Sequence, residues 1–220
     1  MPVVHVLLPV VTAALGFAAA AEAATVRTLG RCYQERADVV AAGAGFAPSA
    51  IVTVWRDGTN LGSATTDSTG TFARKFTTPR LPSGKREVLY DLVASDGANS
   101  AITHYRATKL LADFSPGMGD LATLRVRFRV RGFNLLEEKS SVYLHYIRPS
   151  GQRHRTIRLG TARGSCGHIR RTRRRYLFPF EARRGLWKLQ FDTRKIYEPG
   201  TDDSNFVWVR RRVRVYATTG

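Results

Sequence analysis

Hydrophobic and polar residues alternate along much of this chain in short runs that are separated by turn residues. Residues 51–55 (IVTVW) are β-branched or aromatic, and the Asp57-Gly58 pair follows them. Gly accepts a positive φ and Asp bonds its own backbone, so this pair is typical of a tight turn. A second turn at residues 67–70 (DSTG) leads into residues 71–78. This spacing predicts two successive hairpins in an antiparallel β domain.

The rest of the first half continues the same pattern. Further strands are predicted over residues 37–42, 86–94 and 99–107, with turn or loop residues between them. About seven short strands in roughly 80 residues is the size and spacing of an immunoglobulin-like sandwich.

The second half also has a two-residue period, and its outward positions are basic. Residues 124–131 alternate without interruption, which predicts a half-buried strand with an apolar inner face and an arginine outer face. Pro179 makes residues 176–180 an edge or a bend. Other strands are predicted over residues 141–148, 155–159, 186–192 and 206–216, and no helix is expected.

These patterns predict an all-β fold with two tandem Ig-like antiparallel β-sandwich domains. The predicted domains are residues 24–107 and 120–220, and residues 108–119, with Pro116 and two glycines, form the linker.

Residues 1–23 are predicted to be a signal peptide. Residues 3–21 are almost wholly apolar, and Ala21-Glu22-Ala23 supplies the small residues that a signal peptidase reads. Because no Lys or Arg precedes the apolar run, a start codon further upstream and an uncleaved anchor are the alternatives. We therefore expect an exported protein, extracellular or associated with the cell envelope, and no later stretch is apolar enough to cross a bilayer.

The chain has two cysteines, Cys32 and Cys166. An even number in an exported protein favours one disulfide, which would tie the two predicted domains together. Closing a loop of about 135 residues contributes ~5 kcal/mol in the chain-entropy model. Two unrelated buried thiols are the alternative.

The charge of the chain is strongly asymmetric. The formal net charge is +18; residues 24–107 contain ten basic and seven acidic residues, whereas residues 108–220 contain twenty-five and nine. GC-rich coding explains why 29 of the 35 basic residues are Arg. It does not explain why the excess avoids the first half. A body this basic attracts polyanions in a salt-dependent way.

Three arginine clusters form the predicted polyanion-binding surface. Two are strand rows and one is a flexible run. Guanidinium groups suit phosphate and carboxylate, and an adjacent aromatic ring allows stacking on bases or sugars. The expected partner is an anionic envelope polymer or acidic polysaccharide. Nucleic acid is a less favoured partner, because no recognition helix or single-strand platform is evident. A solvated sheet face that protects strand edges is the alternative. The predicted residues are Arg125, Arg127, Arg129 and Arg131; Arg170, Arg171, Arg173, Arg174 and Arg175; and Trp208, Arg210, Arg212 and Arg214.

Several loop motifs of the first half carry a resemblance to a known class of domain. They are GAGFAP at residues 43–48, IVTV at 51–54, Asp57-Gly58, and DSTGTF at 67–72. In these motifs, residues 26–107 resemble the bacterial Ig-like and TIG-type β-sandwich domains of exported actinobacterial proteins. The resemblance implies a spacer, adhesion or carbohydrate-contacting module. The second half, at residues 165–168 (SCGH) and 177–180 (LFPF), resembles only uncharacterised basic regions that accompany such domains.

The alternative enzymatic hypothesis places a nucleophile at Cys166 with His145 as its base. The arrangement is similar to L,D-transpeptidases, exported peptidoglycan-modifying enzymes, although here Ser165 rather than Gly precedes the cysteine. A cysteine among arginines has a depressed pKa and is reactive when free. No metal site or cofactor is predicted, and turn chemistry explains Asp57, Asp67 and Asp96 without a calcium ion. Because Ser165 departs from the transpeptidase pattern and a disulfide to Cys32 would silence Cys166, we expect a protein that is not an enzyme.

Overall fold

The computed structural model describes residues 23–133, 139–199 and 204–211. The predicted signal peptide, apart from Ala23, lies outside these residues, as do Arg212 and Arg214. The described residues form fifteen β-strands and no helix, so the predicted all-β class is confirmed. Within these ranges, no helix has the length and apolar character that a membrane span requires.

Eight strands come from the first half of the chain and form two facing sheets. One sheet has the order β1-β3-β6, and the other has the order β2-β8-β7-β4-β5. All pairs are antiparallel except β2 with β8. The strands are β1 (Thr25–Thr28), β2 (Cys32–Gln34), β3 (Asp38–Ala44), β4 (Ile51–Arg56), β5 (Thr59–Thr65), β6 (Phe72–Thr77), β7 (Glu87–Ser95) and β8 (Ser100–Thr108).

Seven strands from the second half form two more sheets. Their orders are β9-β10-β13 and β12-β11-β14-β15. The strands are β9 (Leu111–Ser115), β10 (Arg125–Arg131), β11 (Lys139–Ile147), β12 (Arg153–Arg163), β13 (Arg175–Tyr176), β14 (Gly185–Asp192) and β15 (Asn205–Arg211).

Each half has its own cluster of buried apolar side chains between its sheets. We call β1–β8 the N-terminal sandwich and β9–β15 the C-terminal sandwich. The N-terminal cluster includes Val54, Phe72, Leu92 and Tyr105. The C-terminal cluster includes Phe128, Leu144, Tyr146, Trp187 and Phe191. The division into independently folding domains at residues 24–107 and 120–220 stays a prediction.

The first predicted hairpin is confirmed, and the second is wrong. β4 and β5 pair through the Asp57-Gly58 turn, where both residues have positive φ, 45° and 78°. The turn at residues 67–70 instead carries the chain to the other sheet, because β6 pairs with β3 rather than with β5. Asp67 holds this turn by accepting bonds from the backbone of Thr69 and Thr71. A side chain on Gly70 would collide with the carbonyl of Phe46.

The predicted linker, residues 108–119, is partly a strand. Residues 111–115 form β9, which pairs along its length with β10. A strand forms where a linker was predicted because alternate residues are apolar: Ala112 is buried in the C-terminal core, and Leu110 and Phe114 pack against that core. Pro116 and the glycines after it begin the irregular part of the segment.

A disulfide between Cys32 and Cys166 joins the two sandwiches across 134 residues of sequence. The predicted pairing is therefore confirmed, and both cysteines are buried. Gly132, beside this bridge, accepts a hydrogen bond from the Gln34 amide at 3.2 Å and donates its own N–H to Cys166. The joint between the sandwiches is thus both covalent and hydrogen-bonded.

Candidate functional site: an arginine face and the cleft beside it

The outer side of β10 carries a row of four arginines. Val126, Phe128 and Val130 are buried in the core, so the residues between them project away from it. Arg125, Arg127 and Arg129 are exposed, and Arg131 is half-buried. The alternation that the sequence predicts is therefore present in the strand.

The basic run at residues 170–175 lies beside β10. Ile169 bridges to Val130, and Arg175 pairs with Val126. Between them, Thr172 bonds Phe128 twice at 2.9 Å: its N–H donates to the Phe128 carbonyl, and its hydroxyl accepts from the Phe128 N–H. The prediction of a flexible cluster is wrong, because these bonds fix the run along the strand.

Two of the three predicted clusters therefore form one surface, which we call the arginine face. Arg175 is excluded from it because this side chain is half-buried and donates to the Arg158 carbonyl. The exposed ring of Tyr176 lies at one end, where the Arg125 guanidinium stands 5.2 Å from its centroid. The arginine face comprises Arg125, Arg127, Arg129, Arg131, Arg170, Arg171, Arg173 and Arg174.

Only two arginines of this face form ion pairs with carboxylates among the described residues. Arg129 pairs with Asp113 at 2.8 Å, and Arg131 pairs with Glu87 at 2.6 Å. Six guanidinium groups are left without a described carboxylate partner, so the face keeps a large positive excess.

One end of the arginine face opens into a cleft of about 500 Å³ between the two sandwiches. We call it the junction cleft. Four arginines and two carboxylates line the cleft, so its net charge is positive even when His168 is neutral. Its lining residues are Arg86, Glu87, Leu111, Asp113, Arg129, Val130, Arg131, His168, Ile169 and Arg170.

Glu87 is the central acidic group of the junction cleft. One oxygen accepts from Arg106 at 2.9 Å, and the other accepts from Arg131 at 2.6 Å. The second oxygen also lies 3.2 Å from Nε2 of His168, although that nitrogen has no aligned hydrogen bond among the described residues. Burial lowers the pKa of His168, and Arg131 lowers it further, while Glu87 opposes the shift. His168 is therefore neutral at pH 7.

The third predicted cluster lies on the opposite side of the C-terminal sandwich. Trp208 and Arg210 are exposed on β15, where Val209 between them is buried. The Lys188 ammonium stands 3.8 Å from the ring centroid of Phe206 and 5.9 Å from that of Trp208. This row does not join the arginine face, and Arg212 and Arg214 lie outside the described residues.

The structure does not bring Cys166 and His145 together as a nucleophile and base. Cys166 has no thiol, because its sulfur is bonded to Cys32. His145 is fully buried on β11, with Nδ1 2.8 Å from the Thr156 hydroxyl and Nε2 3.0 Å from Asp192. The alternative catalytic pair is therefore wrong for the oxidised protein.

His145 belongs to a buried network that sequence reasoning missed. Asp192 is buried with it and also accepts from the Gln190 amide and the Arg194 N–H. Gln190 in turn donates to the carbonyl of Glu198, so the network holds the segment after β14 against the sheet. The two-residue period of β11 and β14 predicts that His145, Gln190 and Asp192 face outward, so no local signal indicates their burial.

Above this network lies a pocket of about 850 Å³ with aromatic and cationic walls and no carboxylate. Thr156 forms part of it, so the pocket and the buried histidine share a residue. It is lined by Tyr143, Arg153, Thr156, Arg158, Lys195, Ile196 and Tyr197.

Comparison with known proteins gives distant structural likenesses. No family model matches the chain, and no curated protein matches it. Fibronectin(III)-like modules of Clostridium thermocellum CbhA align over 84% of this chain and 93% of their own, at 14% identity and a TM-score of 0.29. A Parabacteroides merdae β-glucuronidase aligns over 86% of this chain and 25% of its own, at 10% identity and a TM-score of 0.30.

A Salmonella α-2-macroglobulin mutant aligns over 86% of this chain at 12% identity and a TM-score of 0.30. The chain spans only 14% of that protein's length. At these TM-scores the likenesses carry no functional argument, and the strand order defines the fold.

Proposed function

We propose that this is an exported, non-catalytic surface or secreted protein, structural or adhesive, whose arginine face binds anionic polymers of the cell envelope electrostatically. The observation that carries the proposal is the excess of guanidinium groups over described carboxylates on one continuous face. The disulfide and the predicted signal peptide support export, since disulfides persist in oxidising compartments.

The arginine groups act together rather than singly. Alternate residues of a strand are ~7 Å apart, which is less than the Debye length of roughly 8 Å at physiological ionic strength. A polymer that lies along β10 and the adjoining run therefore meets several cations within one screening length. Each guanidinium also binds a phosphate or carboxylate with two parallel hydrogen bonds.

The shape of the face favours a polymer over a small molecule. The arginines stand on the outside of a sheet, and the junction cleft opens at one end of the row. An extended chain gains contacts along the whole row, whereas a single small anion contacts one or two groups. We therefore expect affinity to rise with polymer length and to fall steeply with salt.

The test measures binding of a polyuronate and of duplex DNA at several salt concentrations. The face variant changes Arg125, Arg127, Arg171 and Arg173 to Gln. The matched control changes Arg27, Arg31, Arg80 and Lys85, which are exposed on the N-terminal sandwich, to Gln. Both variants remove the same formal charge, so a difference between them reports position and not net charge.

For DNA, each phosphate contact contributes about 0.9 to the slope of log affinity against log salt. The face variant should lower that slope by about 3, and the control by less than about 1. Equal losses in the two variants would show that binding follows net charge alone. A marked preference for DNA over polyuronate at matched charge would instead favour the nucleic-acid alternative.

A further inference from the structure

Three potential metal ligands converge at the joint between the sandwiches. A carboxylate oxygen of Glu87, Sγ of Cys166 and a ring nitrogen of His168 all lie within 4.8 Å of one another. Cys32 supplies a fourth potential ligand, the second sulfur, which is bonded to Cys166. Glu87 and Cys32 come from the N-terminal sandwich, and the other two come from the C-terminal sandwich.

The spacing of these atoms suits zinc. Bonds of about 2.0–2.1 Å in a tetrahedral site place a nitrogen and an oxygen ligand about 3.3 Å apart. Nε2 of His168 and the nearer oxygen of Glu87 are 3.2 Å apart. That nitrogen is buried and has no hydrogen-bond partner among the described residues. Nε2 of His168 and the Glu87 carboxylate therefore already have the separation of two zinc ligands, and the nitrogen forms no hydrogen bond with the carboxylate.

We propose that reduction of the Cys32–Cys166 disulfide uncovers a zinc site formed by Cys32, Cys166, His168 and Glu87. A dithiol delivers two electrons and two protons to the S–S bond and leaves as a cyclic disulfide, so that two thiols remain. Zinc then displaces both thiol protons to solvent as two Zn–S bonds form. Since thiolate is the ligand, the oxidised protein does not bind the ion there.

The surrounding arginines favour this centre. Two thiolates and one carboxylate around Zn²⁺ give a net charge of −1, which would be costly in a buried site without cations. Arg106 and Arg131 already hydrogen-bond Glu87, so they remain as outer partners that orient the ligating carboxylate. The same positive charge stabilises the thiolates.

The two sandwiches would therefore be connected in two alternative ways, by the disulfide or by the zinc ion. The disulfide holds the sandwiches together when the protein is oxidised, and zinc holds them together when it is reduced. This inference does not depend on polyanion binding by the arginine face.

The experiment titrates the full chain with Zn²⁺ after a reductant has been added and removed under anaerobic conditions. Variants His168→Ala and Glu87→Gln keep both cysteines, so their folding is first verified in the oxidised form. His104→Ala, which alters an exposed histidine on the N-terminal sandwich, is the matched control. Stoichiometry, affinity and the melting temperature of the reduced protein are measured, and Co²⁺ is used to detect thiolate ligation by its absorption.

We expect one zinc per reduced chain and none at this site in the oxidised chain. His168→Ala should weaken binding by at least about 10-fold, and the control should leave it unchanged. Zinc should raise the melting temperature of the reduced protein only. The proposal is overturned if the reduced protein binds no zinc, if Co²⁺ shows no thiolate bands, or if His168→Ala binds zinc as tightly as the unaltered chain.

Discussion

The two sandwiches share one strand order and differ in what they expose. The order β1-β3-β6 facing β5-β4-β7-β8 recurs as β9-β10-β13 facing β12-β11-β14-β15, and β2 is an addition to the first. The central strand of the three-stranded sheet is β3 in one and β10 in the other. Where β10 exposes arginines, β3 turns Asp38, Val40 and Ala42 outward.

This difference shows that the shared strand order does not require arginines on the outer side of the central strand. Val39 and Ala41 bury the inner side of β3, as Val126, Phe128 and Val130 bury the inner side of β10. A coding bias toward Arg would act on the outward positions of both strands. Only β10 is basic on its outer side, and the proposed binding of anionic polymers would account for this contrast.

Removing the disulfide should have the largest effect on this pair of sandwiches. Replacing Cys32 and Cys166 with Ala should lower the free energy of unfolding by up to ~5 kcal/mol, because the unfolded chain loses its cross-link. It should also separate one denaturation transition into two, since each sandwich has its own core. Urea unfolding followed by Trp fluorescence and circular dichroism measures both.

A single transition with an unchanged midpoint in that variant would contradict the description of two cores joined by a bridge. Reducing the unaltered protein without zinc provides the control, because it opens the same bridge and keeps the cysteine side chains.

Among the residues that the structure describes, each sandwich has one His–Asp pair, and the two pairs should differ in their contribution to stability. His104 and Asp91 meet at 2.8 Å with side chains 56% and 54% exposed. His145 and Asp192 meet at 3.0 Å with exposures of 0% and 2%. Asp192→Asn should cost about 2 kcal/mol of unfolding free energy, since it removes a buried carboxylate that accepts hydrogen bonds from Gln190 and Arg194. Asp91→Asn should cost less than about 1 kcal/mol.

Thermal or urea unfolding of the two variants measures this contrast directly. Similar losses would mean that the buried network does not hold the segment after β14 as described.

The sandwiches should also respond to acid in different pH ranges. Burial and nearby arginines lower the pKa of His154 and of His168 in the C-terminal sandwich. Below the unfolded value of about 6.5, the unfolded chain binds protons that these folded imidazoles do not. Their contribution to stability is therefore present above about pH 6.5 and is lost as the pH falls toward their lowered pKa.

In the N-terminal sandwich the sensitive groups are carboxylates. The Thr71 hydroxyl lowers the pKa of Asp67, and the Ala47 N–H lowers that of Asp96. Their contribution is present above about pH 4 and is lost only below it. Between pH 7 and pH 5, His168→Gln should flatten the pH dependence of unfolding, whereas Asp96→Asn should not. Identical slopes in both variants would contradict this assignment.

Local patterns predicted the parts of the structure that depend on neighbours in sequence. The outward row on β10 follows from a two-residue period, and the β4–β5 turn follows from Asp57-Gly58. The sequence pattern predicted that β6 pairs with β5, whereas β6 pairs with β3 in the other sheet. A local pattern does not show which of two facing sheets a strand joins, because β3 is distant from β6 in sequence. The sequence pattern also missed β9, whose short apolar alternation lies beside Pro116.

The candidate site was less predictable, because its partners are distant in sequence. Arg131 and Glu87 are 44 residues apart, and His145 and Asp192 are 47 apart. No local pattern shows that Glu87 neutralises part of the arginine row, or that residues 170–175 are fixed beside β10. The sequence therefore predicted that these arginines face outward, but it did not predict that two of the clusters form one face beside a cleft.

The most direct test of the central claim is the release of the protein from the envelope of producing cells by washes of rising salt. The unaltered protein should elute at moderate salt, the four-residue face variant should already be in the soluble fraction, and the N-terminal control variant should elute with the unaltered protein. Retention of all three until detergent is added, or equal release of the face and control variants, would contradict the account.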